Sequence, residues 1–245
     1  MASYLRRAKL AIMAVCLCFQ AGLALAGTPG GLPLPDQLIA LDHPDGQSMF
    51  LRTPYNQSFW PLSRWFQTQE SPAFCGIATA VMVLNSLKVP LPVADDDTAP
   101  AMFTQTNVFN DKVRAVTTPA LIATKGLDLD QLARVFKAYP VKVQTHHAHP
   151  GGWLSFVRDA KKALQDQRAF VVVNYLRSAI GQKTNGHFSP LGAYDEARDR
   201  FLIMDVARYK YPPVWVRAQD LYAAMNTFDA EAGQRRGYLI ITSDQ

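Results

Sequence analysis

Residues 169–175, Ala-Phe-Val-Val-Val-Asn-Tyr, form an apolar run of strand length broken only by Asn174. Such a run, rich in β-branched residues, is the pattern of a central strand rather than of an exposed edge. The segments around it fall into order. Ser71 with Pro72 offers a cap and a first-turn proline for a helix that runs through Cys75 to about Leu87 and ends at Val89-Pro90. Asp128 with Gln131 predicts a capping-box start to a helix reaching about Ala138, followed by a strand at 141–143. Trp153, Phe156, Val157, Ala160 and Leu164 share one helical face. Two further strands flank a polar turn at 195–197, and 237–242 predicts a last strand. Helices come mostly early and strands mostly late, so the expected class is α+β rather than alternating βαβ.

With 245 residues, 49% hydrophobic and 18% charged, the chain is too apolar for disorder and long enough for a sizeable core. Residues 1–26 are set apart. Arg6, Arg7 and Lys9 precede an apolar run from Leu10 to Phe19 and then Ala24-Leu25-Ala26, the order of a cleaved secretory signal. That run is shorter than the roughly 20 residues of a membrane-spanning helix, so no integral membrane segment is expected after processing. The expected location is periplasmic or secreted. Residues 27–245 then form a single domain, with 27–47, rich in Gly and Pro, as an extended arm. Removing the three basic residues of the signal lowers the formal charge from +5 to +2, which offers little support for nucleic-acid binding. It also removes Cys16 and Cys18 and leaves Cys75 as the one remaining thiol.

Cys75 is expected in the first turn of its helix, where free backbone amides favour a thiolate. Gly76 after it permits close approach of a substrate or another chain segment. A base and its orienter can be found. His187 opens one late strand and Asp205 ends the apolar run 201–204. A hairpin pairing them directly would centre on Glu196, inside the polar turn, and direct partners share a sheet face. Nucleophile, base and orienter together are the logic of thiol acyl transfer. Gln69, six residues before Cys75, can donate to a developing oxyanion together with the Cys75 amide.

Three motifs carry a resemblance. Ser71-Pro72-Ala73-Phe74-Cys75-Gly76, Gly186-His187-Phe188-Ser189-Pro190, and the stretch 202–216 beginning Leu202-Ile203-Met204-Asp205-Val206-Ala207-Arg208-Tyr209 occur in this order. They resemble the catalytic core of phytochelatin synthases from about Phe59 to Tyr238. The resemblance implies a papain-like cysteine-protease fold, its helical part carrying the nucleophile and an antiparallel sheet carrying His and Asp. It also implies cleavage of glutathione at the Cys–Gly bond, release of glycine, and a γ-glutamylcysteine thioester on Cys75. His187 is then base and acid, Asp205 the orienter and Gln69 the oxyanion donor. Water or a second glutathione takes the acyl group.

A γ-glutamyl group presents a free α-carboxylate and a free α-ammonium, so its pocket needs a guanidinium and a carboxylate. Arg236 and Asp229 can supply them, Tyr238 can add a hydroxyl, and Asn174 stands at the end of the central strand. These match acyl-pocket positions in similar enzymes, with Arg177 and Arg208 as further candidates. Long family members carry a cysteine-rich C-terminal region, and the chain reads as a short bacterial form without it. Hydrolysis of glutathione is therefore the expected main activity, with phytochelatin synthesis weak. No cofactor is expected. Heavy-metal ions (Cd, Zn, Cu) enter as glutathione thiolates or activators, no protein metal site is expected, and a homodimer is left open.

Asp95-Asp96-Asp97 reads as a solvated acidic turn, and His146-His147-Ala148-His149 as a loop beside Pro150 rather than a metal site. Two other functions stay open at this stage: a papain-like peptidase of ordinary peptides, and a non-enzymatic periplasmic metal-binding protein resting on those histidines.

Overall fold

The computed structural model describes residues 31–91, 102–183 and 185–243; the signal-like segment and the Asp95–Asp97 run lie outside them. In chain order the elements are β1 (Ile39–Ala40), α1 (Pro44–Arg52), α2 (Phe59–Arg64), α3 (Cys75–Ser86), α4 (Asp111–Arg114), α5 (Pro119–Lys125), α6 (Leu129–Lys137), β2 (Val141–His147) and α7 (Trp153–Leu164). Then follow β3 (Ala169–Leu176), a 3-10 turn (Arg177–Ile180), β4 (Gly186–Asp195), β5 (Arg200–Ile203), β6 (Val214–Arg217), α8 (Ala218–Met225), β7 (Phe228–Asp229), β8 (Gln234–Arg235) and β9 (Gly237–Ser243). The protein is α+β. Seven strands form one sheet in the order β1-β6-β5-β4-β3-β9-β2, and each neighbouring pair is antiparallel. No helix among the described residues is long and apolar enough to cross a membrane.

The apolar run that opened the sequence lies in β3, between β4 and β9. Strand alternation sends Phe170 and Val172 into one core and Val171, Val173 and Tyr175 into another. The first core joins them to α3 and α6, the second to α7 and α8. Both faces of β3 are therefore covered, which is why its sequence shows no polar alternation. Helix α3 is buried along its whole length, in keeping with its run of Ala, Val, Ile, Met and Leu. Helix α6 starts at the expected capping box: Asp128 accepts from the Gln131 amide at 2.7 Å, and the Gln131 side chain accepts from the Asp128 amide at 3.0 Å.

Four expectations need correction. Residues 31–47 are not simply an extended arm, because β1 pairs with β6 and α1 begins at Pro44. Helix α3 starts at Cys75 itself and not at Ser71, with Phe74 as its cap. His146 and His147 belong to β2 rather than to a loop. His146 stacks on Tyr238 with ring centroids 4.6 Å apart, while His147 bonds the Arg235 carbonyl at 2.7 Å and Asp130 at 3.2 Å. Finally, the β4–β5 turn comprises residues 196–199, enclosed by the pair Asp195 and Arg200. Asp195 is held in the strand by Arg52, whose Nε and Nη2 donate to its two oxygens at 3.0 and 2.6 Å.

Candidate active site

Cys75 is the first residue of α3, and Phe74 offers no side-chain cap. The opening amides of the helix therefore remain available to a negative charge at this position. Gly76 sets the helix close against its neighbours: a Cβ there would lie 3.0 Å from Leu127 and 3.5 Å from Phe188. The close approach is by other chain segments. Burial pushes the Cys75 thiol up, but the charge and hydrogen bond of His187, a backbone hydrogen bond from Phe188 and the charge of Arg177 outweigh it. The thiol is held below its ordinary range.

His187 stands near the start of β4, opposite Tyr175 of β3, whose ring meets the imidazole edge-on at 5.8 Å. Its Nε2 bonds Asp205 Oδ1 at 2.9 Å, which leaves Nδ1 for the Cys75 side. Burial lowers the imidazole pKa, and the negative charges of Asp205 and Cys75 more than reverse this, so the net shift is upward. A lowered thiol hydrogen-bonded to a raised imidazole favours a thiolate–imidazolium pair.

Asp205 is fully buried, and burial alone would raise its pKa; His187 and Arg177 instead hold it well below the usual carboxylate range. Arg177 grips it with two parallel hydrogen bonds, Nη1 to Oδ2 at 2.7 Å and Nη2 to Oδ1 at 2.8 Å. The Ala207 amide adds a bond of 2.8 Å to Oδ1. Arg177 sits at the start of the 3-10 turn after β3, donates also to Gln182 Oε1 at 2.5 Å, and covers the Tyr211 ring at 5.4 Å. Sequence reading placed this arginine among acyl-pocket candidates. The available signal was its position directly after the central strand, where a cation among apolar neighbours needs a buried anion.

The His187–Asp205 pairing does not use the expected register. Near the turn, Tyr194 faces Phe201 and Ala193 faces Leu202, a register that would carry Asp205 opposite Pro190 and onto the wrong face. A bulge at Gly192 shifts the ladder by one, so that Leu191 faces Ile203 and the Met204 amide bonds the Pro190 carbonyl at 3.0 Å. Extended by one residue, the shifted register sets Asp205 opposite Ser189, two positions from His187 and on its face.

Gln69 is buried beside the α3 N-terminus. Its Nε2 donates to the Ser71 carbonyl at 2.8 Å, the same oxygen that accepts from the Phe74 amide, and to the Tyr209 hydroxyl at 3.2 Å. Its own amide bonds the Val206 carbonyl at 2.9 Å, next to Asp205, and its Oε1 is buried without a hydrogen-bond partner. Burial raises the Tyr209 phenol, which also responds to the charges of Arg177, Cys75 and Asp205.

The four acyl-pocket candidates divide. Arg236 Nη2 pairs with Asp229 Oδ2 at 3.2 Å, and its guanidinium lies against Gly186, the neighbour of His187, where a Cβ would be 3.1 Å away. Nη1 is fixed by the Phe228 carbonyl at 2.9 Å and Thr227 at 3.2 Å, whereas Nε is buried without a partner. Asn174 faces Phe188 on one side and Gly237 on the other, continues the Phe170–Val172 face toward α3, and keeps a buried, unpartnered Oδ1. Tyr238 does not join them. Its ring packs in the α7–α8 core, and its hydroxyl bonds Asp159 at 3.3 Å. Arg208 lies over the Phe66 ring at 4.8 Å.

Comparison with known proteins identifies the family. The sequence matches the phytochelatin synthase family over residues 30–238. Glutathione gamma-glutamylcysteinyltransferase 1 of Lotus japonicus is 31% identical over 224 residues, 90% of this chain and 43% of the relative. The Schizosaccharomyces pombe glutathione gamma-glutamylcysteinyltransferase is 30% identical over 211 residues, 85% of this chain and 50% of the relative. Glutathione gamma-glutamylcysteinyltransferase 2 of Arabidopsis thaliana is 32% identical over 187 residues, 76% of this chain and 40% of the relative. The chain spans half or less of the length of the curated relatives it matches. A match over most of its residues, together with these relatives, places the chain in the phytochelatin synthase family.

Proposed function

We propose that the protein is a cysteine-dependent glutathione hydrolase and γ-glutamylcysteinyl transferase with a papain-like catalytic domain. The observation that carries this reading is Cys75 at the start of α3 under the charge of His187, His187 bonded to Asp205 at 2.9 Å, and the Asp229–Arg236 ion pair beside it at Gly186. The ion pair offers one carboxylate and one guanidinium, the complement of an α-ammonium and an α-carboxylate. The partnerless Asn174 Oδ1 and Arg236 Nε add an acceptor and a donor.

In the reaction the Cys75 thiolate attacks the carbonyl carbon of the Cys–Gly amide. The Cys75 amide and the Gln69 Nε2, which exchanges its bond to the Tyr209 hydroxyl for one to the substrate, stabilise the oxyanion. Collapse breaks the C–N bond, and His187 gives its Nδ1 proton to the departing glycine nitrogen. A γ-glutamylcysteinyl thioester remains on Cys75. His187, now neutral, takes a proton from water as the water oxygen attacks the thioester carbonyl; the C–S bond breaks, the Cys75 thiolate is restored and γ-glutamylcysteine leaves as the main product. His187 can instead take a proton from a second glutathione, which yields the phytochelatin unit in smaller amount. Asp205 holds the imidazole orientation throughout and stays ionised. Heavy-metal ions act as thiolates of the substrate, outside the protein. The basic, apolar, small-residue order of residues 1–26 supports cleavage after Ala26 and export to the periplasm or beyond.

Mass spectrometry of the protein mixed with glutathione tests the chemistry. One γ-glutamylcysteinyl group should appear on Cys75 and be absent from Cys75→Ala, with free glycine released. Glycine release that survives Cys75→Ala would remove the proposal.

A further inference from the structure

The loop bearing Gln69 lies outside helices and strands between residues 66 and 69, yet Gln69 is only 4% exposed. Its position is therefore held by the backbone bond to Val206 and by side-chain hydrogen bonds. Most of them converge on one residue, Gln105, which is 2% exposed. Gln105 Oε1 accepts from the Glu70 amide at 3.0 Å, and its Nε2 donates to the Thr68 carbonyl at 2.9 Å and to Gln67 Oε1 at 2.8 Å. A carboxamide has two N–H donors and one oxygen, and here all of them bind residues that straddle Gln69. Glu70 presents a donor and Thr68 an acceptor, so the orientation of the amide is fixed by its partners.

Gln105 is itself tied to the nucleophile helix. Asn85, near the end of α3, accepts from the Phe103 amide at 2.8 Å and donates to the Phe103 carbonyl at 2.9 Å. Thr104 and Asn107 then close a tight turn around Gln105: the Thr104 amide bonds Asn107 Oδ1 at 2.7 Å and the Asn107 amide bonds Thr104 Oγ1 at 3.0 Å. A continuous hydrogen-bonded path thus runs from the helix that begins at Cys75 to both sides of Gln69. The second anchor of the loop, the bond from Gln69 to Val206, leads to the Asp205 segment. No polar atom of Gln105 is left for substrate.

We infer that Gln105 is a positioning residue for the acyl-transfer reaction: through residues 67, 68 and 70 it holds the Gln69 carboxamide at a fixed place relative to the Cys75 thiolate. The inference rests on the proposed role of Gln69 as oxyanion donor. Its physical basis is that an oxyanion donor acts over tenths of an ångström, and a displacement of about 1 Å can cost roughly 100-fold in rate.

The test is glycine release from glutathione by Gln105→Ala, Gln69→Ala and the double variant, with iodoacetamide alkylation of Cys75 measured in parallel. Gln105→Ala should lower kcat about 10- to 100-fold with KM within about two-fold and alkylation unchanged, since the thiolate pair is untouched. In the Gln69→Ala background the same substitution should cost less than about two-fold, because nothing remains to be positioned. Should Gln105→Ala lose alkylation through misfolding, Gln105→Glu carries the comparison: it keeps the volume and the Glu70 bond but sets a carboxylate against Thr68 and Gln67. Independent, multiplying losses in the double variant would overturn the inference. So would an unchanged kcat for Gln105→Ala while Gln69→Ala is impaired. An unchanged kcat for Gln69→Ala would instead remove the underlying role of Gln69.

Discussion

Replacing Arg177 by Met should be among the most damaging single changes outside Cys75. Asp205 has no exposed surface, and four of its hydrogen bonds are visible: two from Arg177, one from His187 and one from the Ala207 amide. Removing the guanidinium deletes two charge-assisted bonds, each contributing about 1.5–3 kcal/mol. It also leaves a carboxylate in the interior with only His187 to balance it. Breaking a buried pair from one side typically costs about 3–5 kcal/mol, and the bonds retained by Asp205 favour the lower half of that range. For a domain of this size each kcal/mol lowers Tm by about 2–4 °C, so a fall of roughly 6–16 °C is expected. Thermal and urea unfolding of Arg177→Met, Asp205→Asn and the double variant measure it. The double variant buries no unpaired charge, so it should be more stable than additivity requires by at least about 1 kcal/mol. Because Arg177 also lowers the Cys75 thiol, the acid limb of alkylation should move to higher pH in Arg177→Met. A loss below about 1 kcal/mol, or strictly additive losses, would refute the view that Asp205 depends on Arg177.

Other substitutions test neighbouring parts of the structure. His187→Gln removes the main opposition to thiol burial, so Cys75 should titrate above the ordinary value of about 8.5 in an alkylation profile. The Asp205 pKa is depressed in the folded state, so its contribution to stability is fully present above the unfolded value of about 4 and is lost as pH falls through the folded value. Asp205→Asn should accordingly flatten the acid side of a stability–pH curve below about pH 4, read by urea unfolding. Gly237→Ala would set a Cβ 2.0 Å from the His146 carbonyl and should destabilise by more than about 3 kcal/mol, since β2 and β9 must part. Gly233→Ala, at φ +69° but with nothing within 4 Å, should cost only about 1–2 kcal/mol of backbone strain.

What sequence reading reached and missed follows the range of the interactions. The β3 run, the capping box of α6 and the apolar face of α7 depend on residues within a few positions of one another, and the elements lie where periodicity predicts them. The helix starts at Cys75 rather than after Ser71: the Ser71 hydroxyl caps no amide and is buried without a partner, while its carbonyl accepts from Gln69 and Phe74 in a turn before the helix. The partners of Arg177 and the grip of Gln105 were not legible. Each joins residues about 28 to 38 positions apart, and neither a glutamine nor an arginine carries a local signal for which distant residue it will meet. Tyr238 shows the same limit from the other side: alternation along β9 turns it to the face of Asp159, and its nearness in sequence to Arg236 does not bring their polar groups together.

The His187–Asp205 pair isolates why a wrong register still brought the right residues together. Strand side chains alternate with period two, so a register error of one residue changes the face and an error of two does not. The expected hairpin set His187 directly opposite Asp205. The shifted ladder sets Ser189 there, two residues away, and so preserves the face while changing the partner from direct to diagonal. That outcome requires the bulge. In the register nearest the turn, Asp205 would face Pro190 and point away from the imidazole. The glycine at 192 accommodates the irregularity in a crowded place, since a Cβ there would lie 3.0 Å from Met204 Sδ and 3.2 Å from Phe59. The residue that aligns His187 with Asp205 is thus one whose side chain is a single hydrogen. It acts by inserting a single position into β4, and that insertion converts a four-residue turn and a polar strand end into a same-face imidazole–carboxylate contact of 2.9 Å.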